Sequence, residues 1–183
     1  MNPEQQIYER LLVLRFQSGD RSAFEALVET HHDRLCYFIN RFASNGHATD
    51  DIAQEVWLSV FRKLGTLREP AAFRTWLYHI ARNRVFQERR GMRESEPLPE
   101  DLAAPDDSAA EERLYADQAA AIHRCLPQLS PEHREALLLW FLEEMSYAEI
   151  AEVTGASLNT VRSRLHYAKR ALKAKIEEEE HGN

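Results

Sequence analysis

SYAEIAEVTGASLNTVRSRLHYAKRAL, residues 146–172, carries the pattern that decides the architecture. Ser146 and Glu149 stand at the S-x-x-E spacing of a capping box, in which two side chains satisfy backbone amides left open at a helix start. The helix YAEIAEVT has to stop at Gly155, because a tight helix exit needs a left-handed residue and glycine has no Cβ to oppose it. Ser157 is then expected to cap a second helix, along which Val161, Leu165, Ala168 and Leu172 repeat at i, i+4, i+7 and i+11 as one apolar stripe. Ile150 and Ala151 face that stripe, and the small Ala151 permits a close crossing. Two short helices joined in this way form a helix-turn-helix. Its outer face carries Asn159, Thr160, Arg162, Ser163, His166 and Arg170. In helix-turn-helix geometry such a face enters the major groove, where arginine can donate two hydrogen bonds to guanine. Lys169, Lys173 and Lys175 would add phosphate contacts on the flank. A solvated amphipathic helix with no role in DNA binding fits the same pattern.

The rest of the chain shows what accompanies this module. The 183 residues, 44% hydrophobic and 29% charged, suffice for one ordinary core or two small ones. Only 6 glycines occur, and apolar residues recur at spacings of three and four rather than two, so the expected class is all-α. The longest apolar runs, such as ALLLWFL at 136–142, are too short to span a membrane, and MNPEQQIYER lacks the apolar region of a signal peptide. No membrane insertion and a cytoplasmic location are expected. Cys36 and Cys125 have no metal or disulfide spacing and are read as reduced thiols. His31, His32 and Cys36 supply too few ligands for zinc and are read as ordinary packing, so neither metal nor cofactor is expected.

The net charge of −7 conceals a strong segregation. Residues 62–93 hold nine bases against two acids, a net +7, whereas residues 94–117 hold nine acids against one base, a net −8. Residues 146–175 return to +4, with six bases against two acids. The proline-bearing acidic stretch SEPLPEDLAAPDDSAAEE, residues 95–112, cannot build a packed element and reads as a flexible linker. Two small helical domains are therefore expected, over 8–93 and 113–177, joined by an acidic linker over 94–112. Their two basic helices should lie on separate surfaces rather than in one shared core.

In the first domain, a helix from Tyr8 to Gln17 should end at Ser18-Gly19-Asp20, and one from Ser22 should carry Phe24, Leu27, Val28, Leu35, Phe38, Ile39 and Phe42 on one broad face. Thr49 is read as the N-cap of DDIAQEVWLSVFRKL, and a basic helix AAFRTWLYHIARNRVFQERR follows a turn around Gly65 to Pro70. Phe73 is read as core, while Trp76 suits either a core or a binding surface. Asp51 and Glu55 share a helix face, but no third ligand stands beside them, so capping and solvent exposure explain them more simply than catalysis. In the second half, Ser130 and Pro131 announce a helix start, and the terminal EEEEHGN should fray.

SYAEIAEVTGASLNTVRSRLHYAKRAL resembles region four of bacterial sigma-70 factors of the extracytoplasmic-function (ECF) group. FRTWLYHIARN at 73–83 is similar to that group's region two, and DDIAQEVWLSVFRKL to the helix before it. The three matches occur in the family's order and span roughly residues 10 to 176. The resemblance implies a sigma factor, not an enzyme, that directs core RNA polymerase to promoter DNA. Its first domain would read and open the minus-ten element through Leu67, Arg68, Arg74, Trp76, His79, Ile80, Asn83 and Arg84. Leu67, Ile80 and Asn83 would line the pocket for one flipped base, and Arg74, Arg82, Arg84, Arg89 and Arg90 would hold the backbone. Ser157, Asn159, Thr160, Arg162, Ser163, Arg164, His166, Lys169 and Arg170 would meet the minus-thirty-five element. Asp51, Gln54 and Glu55 would dock on core polymerase. Trp140, Phe141 and Met145 are read either as core or as a surface meeting the polymerase flap.

Two positions depart from the family pattern, where Tyr167 and His79 stand in place of common arginines. The resemblance further implies that the acidic linker runs toward the polymerase active-site cleft. The chain ends soon after the second domain, so control by a separate anti-sigma protein that clasps both domains is expected. The rival readings are a one-component helix-turn-helix regulator, which leaves FRTWLYHIARN unexplained, and a recombinase using Ser18 or Ser22, for which no activating arginines or sheet are visible.

Overall fold

A computed structural model describes residues 3–43, 46–92 and 121–181, and all of its regular elements are helical. The first half holds α1 (Pro3–Gln17), α2 (Ser22–Asn40), α3 (Gly46–Lys63) and α4 (Phe73–Met92). The second holds the end of a helix, α5 (121–125), then α6 (Pro131–Leu137), α7 (Tyr147–Thr154) and α8 (Leu158–His181). The acidic linker lies outside the described residues, as do the proposed domain limits at 93 and 113.

The first domain assembles as its apolar spacing predicts. Leu27, Leu35, Phe38, Ile39 and Phe42 of the α2 face are buried, with Phe24 and Val28 half-buried at its edge. They meet Ile52, Val56 and Val60 of α3 and Phe73, Leu77, Ala81 and Val85 of α4. Gly19, at φ +99°, makes the turn between α1 and α2 in a conformation open to glycine, and the Asp20 carboxylate accepts hydrogen bonds from the Ser22 amide and hydroxyl. Two boundaries differ from the sequence reading. Helix α1 begins at Pro3 rather than Tyr8, and α3 begins at Gly46, so Thr49 lies inside the helix and its hydroxyl donates to the Asn40 side chain at 3.2 Å.

The second domain confirms the cap chemistry. Ser130 Oγ accepts from the His133 amide at 3.3 Å, with Pro131 at the first helical position. The Ser146–Glu149 capping box is complete in both directions, at 2.7 and 3.3 Å. Gly155 takes φ +67°, and Ser157 Oγ accepts from the Thr160 amide at 3.1 Å. Val161, Leu165 and Ala168 are buried against Ile150 and Val153, with Leu172 half-buried at the end of the stripe. A π-helical turn at Leu138–Leu142 and the left-handed Glu144 (φ 51°) were not legible from spacing. The acidic tail does not fray at Glu177. Helix α8 runs on to His181, because Glu179 pairs with Arg124 and Lys173 pairs with Glu177 one turn on.

One expectation needs correcting. The two halves do not stand apart: α4 packs on α7, and the buried side chains of both halves form one continuous cluster from Leu12 to Ala168. The physical reason lies in α4, which has three faces. Phe73, Leu77, Ala81 and Val85 point into the first domain, and Trp76, His79, Ile80 and Asn83 point outward. The third face, Arg74, Tyr78 and Arg82, is covered by the second domain. Helical periodicity marks an apolar stripe, but it cannot show that a charged stripe meets carboxylates and carbonyls across a domain boundary.

Candidate nucleic-acid interface

The outward face of α4 and the facing side of α3 enclose an open cleft of about 490 Å³. Trp76 and Ile80 supply its apolar wall, and His79, Asn83 and Arg84 supply polar groups along one rim. Ser59 and Lys63 approach from α3. Among the residues read from the sequence as minus-ten ligands, Trp76, His79, Ile80, Asn83 and Arg84 are therefore brought together. Trp76 is only partly buried and touches Phe73 edge-on at a centroid distance of 6.4 Å, so it joins the core to the cleft wall. Such a site, apolar on one side and hydrogen-bonding on the other, can stack an unpaired base and read its edge.

Leu67 and Arg68 lie in the loop before α4 and outside the lining of the cleft. Leu67 is half-buried and Arg68 exposed. The loop is held by Gln17, whose side-chain amide donates to the Leu64 carbonyl at 3.1 Å and to the Leu67 carbonyl at 2.8 Å. Glu69 adds a short-range cap by accepting from the Ala71 amide. Gln17 was missed by sequence reasoning, since nothing at the end of α1 signals a partner 50 residues away.

The arginines of α4 divide into distinct environments. Arg84 is bidentate to Glu55 of α3, and it also reaches Glu88 at 3.2 Å. Its hydrogen bond with Glu55 raises the guanidinium pKa and holds the Glu55 carboxyl below its ordinary range. Arg82 donates to Glu135 at 2.7 Å and lies over the Phe86 ring at 4.7 Å. Arg74 is buried, donating to the Glu143 carbonyl at 2.7 Å and to Glu149 at 3.3 Å. In this arrangement Arg74 is not presented to solvent, contrary to its reading as a backbone ligand. The Arg89 and Arg90 side chains lie outside the described residues.

On α8, Asn159, Thr160, Arg162, Ser163, His166 and Arg170 are all exposed on the outer face. Ser157 spends its hydroxyl on the cap and on Thr160 Oγ1 at 2.8 Å. Arg164 is half-buried and turned toward the flank, where its charge acts on Glu135. Lys169 places its ammonium 3.4 Å from the centroid of the Trp140 ring. That contact fixes Trp140 as half-buried beside the recognition helix, while Phe141 is 69% exposed and Met145 is core. Asp51, Gln54 and Glu55 are exposed along one face of α3. His32 and Cys36 approach to 3.5 Å, and Trp57 Nε1 donates to His32 at 3.3 Å, a packing contact within the first domain.

Comparison with known proteins gives the same two modules in the same order. The family model described as Sigma-70 region 2 matches residues 27–94, and Sigma-70, region 4 matches residues 119–172. The RNA polymerase sigma-H factor of Pseudomonas aeruginosa is 34% identical over 90% of this chain and 91% of its own length. The ECF RNA polymerase sigma-E factor of Escherichia coli K12 is 31% identical over 94% of this chain and 96% of its own. Among solved structures, CnrH in complex with the cytosolic domain of CnrY aligns with a TM-score of 0.67 at 25% identity, covering 93% of this chain and 97% of that one. The sigma factor RpoE of Bartonella quintana, solved with the anti-sigma factor NepR, shares the fold at a TM-score of 0.69 and 20% identity, covering 84% of this chain and 96% of that one. With an exposed helix-turn-helix face, a cleft on the basic helix and relatives matched along nearly their whole length, the chain belongs to the sigma-70 family of RNA polymerase sigma factors, in its ECF group.

Proposed function

We propose that the cleft between α3 and α4 receives a base unstacked from the minus-ten element, while the outer face of α8 reads the minus-thirty-five element as duplex. Trp76 and Ile80 stack or enclose the base, Asn83 hydrogen-bonds its edge, and His79 tunes the contact. Arg162, with Asn159, Thr160, Ser163, His166 and Arg170, meets base edges and phosphates in the major groove. Asp51, Gln54 and Glu55 dock on a basic surface of core polymerase, and Arg68, Arg84 and Lys169 add backbone contacts. The working units are residues 8–93 and 113–177, joined by the acidic segment 94–112. The chain performs no catalysis of its own, acts in the cytoplasm and is held in check by an anti-sigma protein.

The observation that carries this reading is the pairing, on one chain, of an open cleft with one apolar wall and one polar rim and a separate, fully exposed recognition-helix face. A minus-ten oligonucleotide carrying 2-aminopurine at the flipped position tests it, with this chain bound to core polymerase. Binding should change the probe's fluorescence, and Asn83→Ala should weaken that binding about tenfold without altering affinity for minus-thirty-five duplex. Equal loss on both DNAs, or none on either, would contradict the assignment.

A further inference from the structure

The second domain rests on α4 through contacts too specific to be incidental. After α6 the π-helical turn at Leu138–Leu142 and the left-handed Glu144 leave a helix end whose carbonyls lack partners within the helix. Two arginines of the first domain cap that end: Arg34 donates to the Leu142 carbonyl at 3.3 Å and Arg74 to the Glu143 carbonyl at 2.7 Å. A helix C-terminus carries partial negative charge, so guanidinium groups are well matched to it. Arg74 also reaches Glu149 of the capping box, Arg82 reaches the buried Glu135, and Arg134 donates to the Arg41 carbonyl at 2.5 Å. At the far edge the Tyr37 hydroxyl lies 2.7 Å from His123.

This interface is adhesive but not optimised. Burial pushes the carboxyls of Glu135 and Glu143 above their ordinary range although arginines stand beside both, and the second oxygen of Glu135 has no hydrogen-bond partner. Buried carboxylates with incomplete partners make a contact that a competing polymerase surface can displace.

Size supplies the second argument. Promoter elements centred about 25 base pairs apart are separated by two and a half helical turns, about 85 Å of B-DNA. A single compact body of this length has a radius of gyration of about 16 Å and is about 40 Å across. The closed arrangement therefore cannot engage both elements together. We infer that it is a self-masked resting state, in which the second domain occupies the α4 face bearing Arg74 and Arg82 and must lift away before these arginines can hold promoter backbone. This rests on the assignment of α4 to the minus-ten element.

The test uses the full chain and a double variant, Arg34→Ala with Glu135→Gln, since neither residue belongs to the proposed DNA surfaces. Small-angle scattering should give the wild type a radius near 16 Å for a compact body and the variant a larger one. The free variant should bind a single-stranded minus-ten oligonucleotide at least fivefold more tightly. Its affinity should also fall with salt more steeply, by about 1.4 in the log–log slope for two released arginines. Bound to core polymerase, wild type and variant should bind the oligonucleotide equally. A folded variant with unchanged size, affinity and slope overturns the inference, as does a wild type already expanded. Should the double variant not fold, Arg34→Ala alone carries the test: a smaller shift in the same direction supports masking and no shift refutes it. Failure of the sigma assignment would look different, because wild type added to core would then start no transcripts whatever its shape.

Discussion

Glu55 stands at the junction of two proposed surfaces, and replacing it with glutamine separates them. In the free protein its carboxylate is 51% exposed and pairs with Arg84, itself 28% exposed. A solvent-exposed ion pair of this kind contributes about 0–1 kcal/mol, because water screens it and two long side chains must be ordered. For a domain of this size that corresponds to a fall of no more than about 4 °C in Tm. If Glu55 docks on a basic surface of core polymerase, the same substitution leaves a desolvated positive group unpaired there, at a cost of about 2–5 kcal/mol. Glu55→Gln should therefore weaken core binding about 30-fold or more while hardly changing thermal stability. Fluorescence titration of labelled core, beside calorimetric melting of the free chain, reads both quantities. Core affinity within twofold of wild type would refute the docking role, and a Tm loss beyond about 8 °C would show that the pair had been misjudged as a surface contact.

Three further outcomes follow from local geometry. Gly155→Ala meets no atom within 4 Å of the added Cβ, so only the left-handed backbone at φ +67° resists it, and a loss of about 1–2 kcal/mol is expected from urea titration. Arg162→Ala should cost about 1–3 kcal/mol in binding minus-thirty-five duplex and relax specificity at one position, with no change in melting. Burial, helped by the charge of Arg41, lowers the His123 pKa below 6.5, so the imidazole stays neutral in the folded protein. Its contribution is complete above pH 6.5 and declines as pH falls below that value. The stability advantage of wild type over His123→Phe, measured by melting, should be larger at pH 7.5 than at pH 5.5.

Local rules accounted for much of this molecule. The S-x-x-E capping box, Gly155, Ser157 and the Val161–Leu165–Ala168 stripe are short-range features whose physics is contained in a dozen residues, and each appears where its spacing placed it. The cleft residues Trp76, His79, Ile80 and Asn83 were also legible, because they share one face of one helix. What spacing could not supply depends on long-range partners. Arg74 looks like any other arginine of a basic helix until Glu143 and Glu149, some 70 residues on, close over it. Gln17 gains its role only from the Leu64 and Leu67 carbonyls, and the tail of α8 stays helical because Arg124 meets Glu179. The start of α3 was misplaced because Thr49 resembles an N-cap locally, yet its hydroxyl is taken by Asn40 of the preceding helix.

The central claim is that this chain gives promoter choice to a polymerase that lacks it. Run-off transcription from a promoter library, with purified core enzyme free of any sigma subunit, tests it most directly. The account predicts discrete transcripts that start at a fixed distance from a shared pair of upstream elements and vanish when this chain is omitted. Core that stays unable to initiate in its presence, or that starts equally at all sequences, would contradict it.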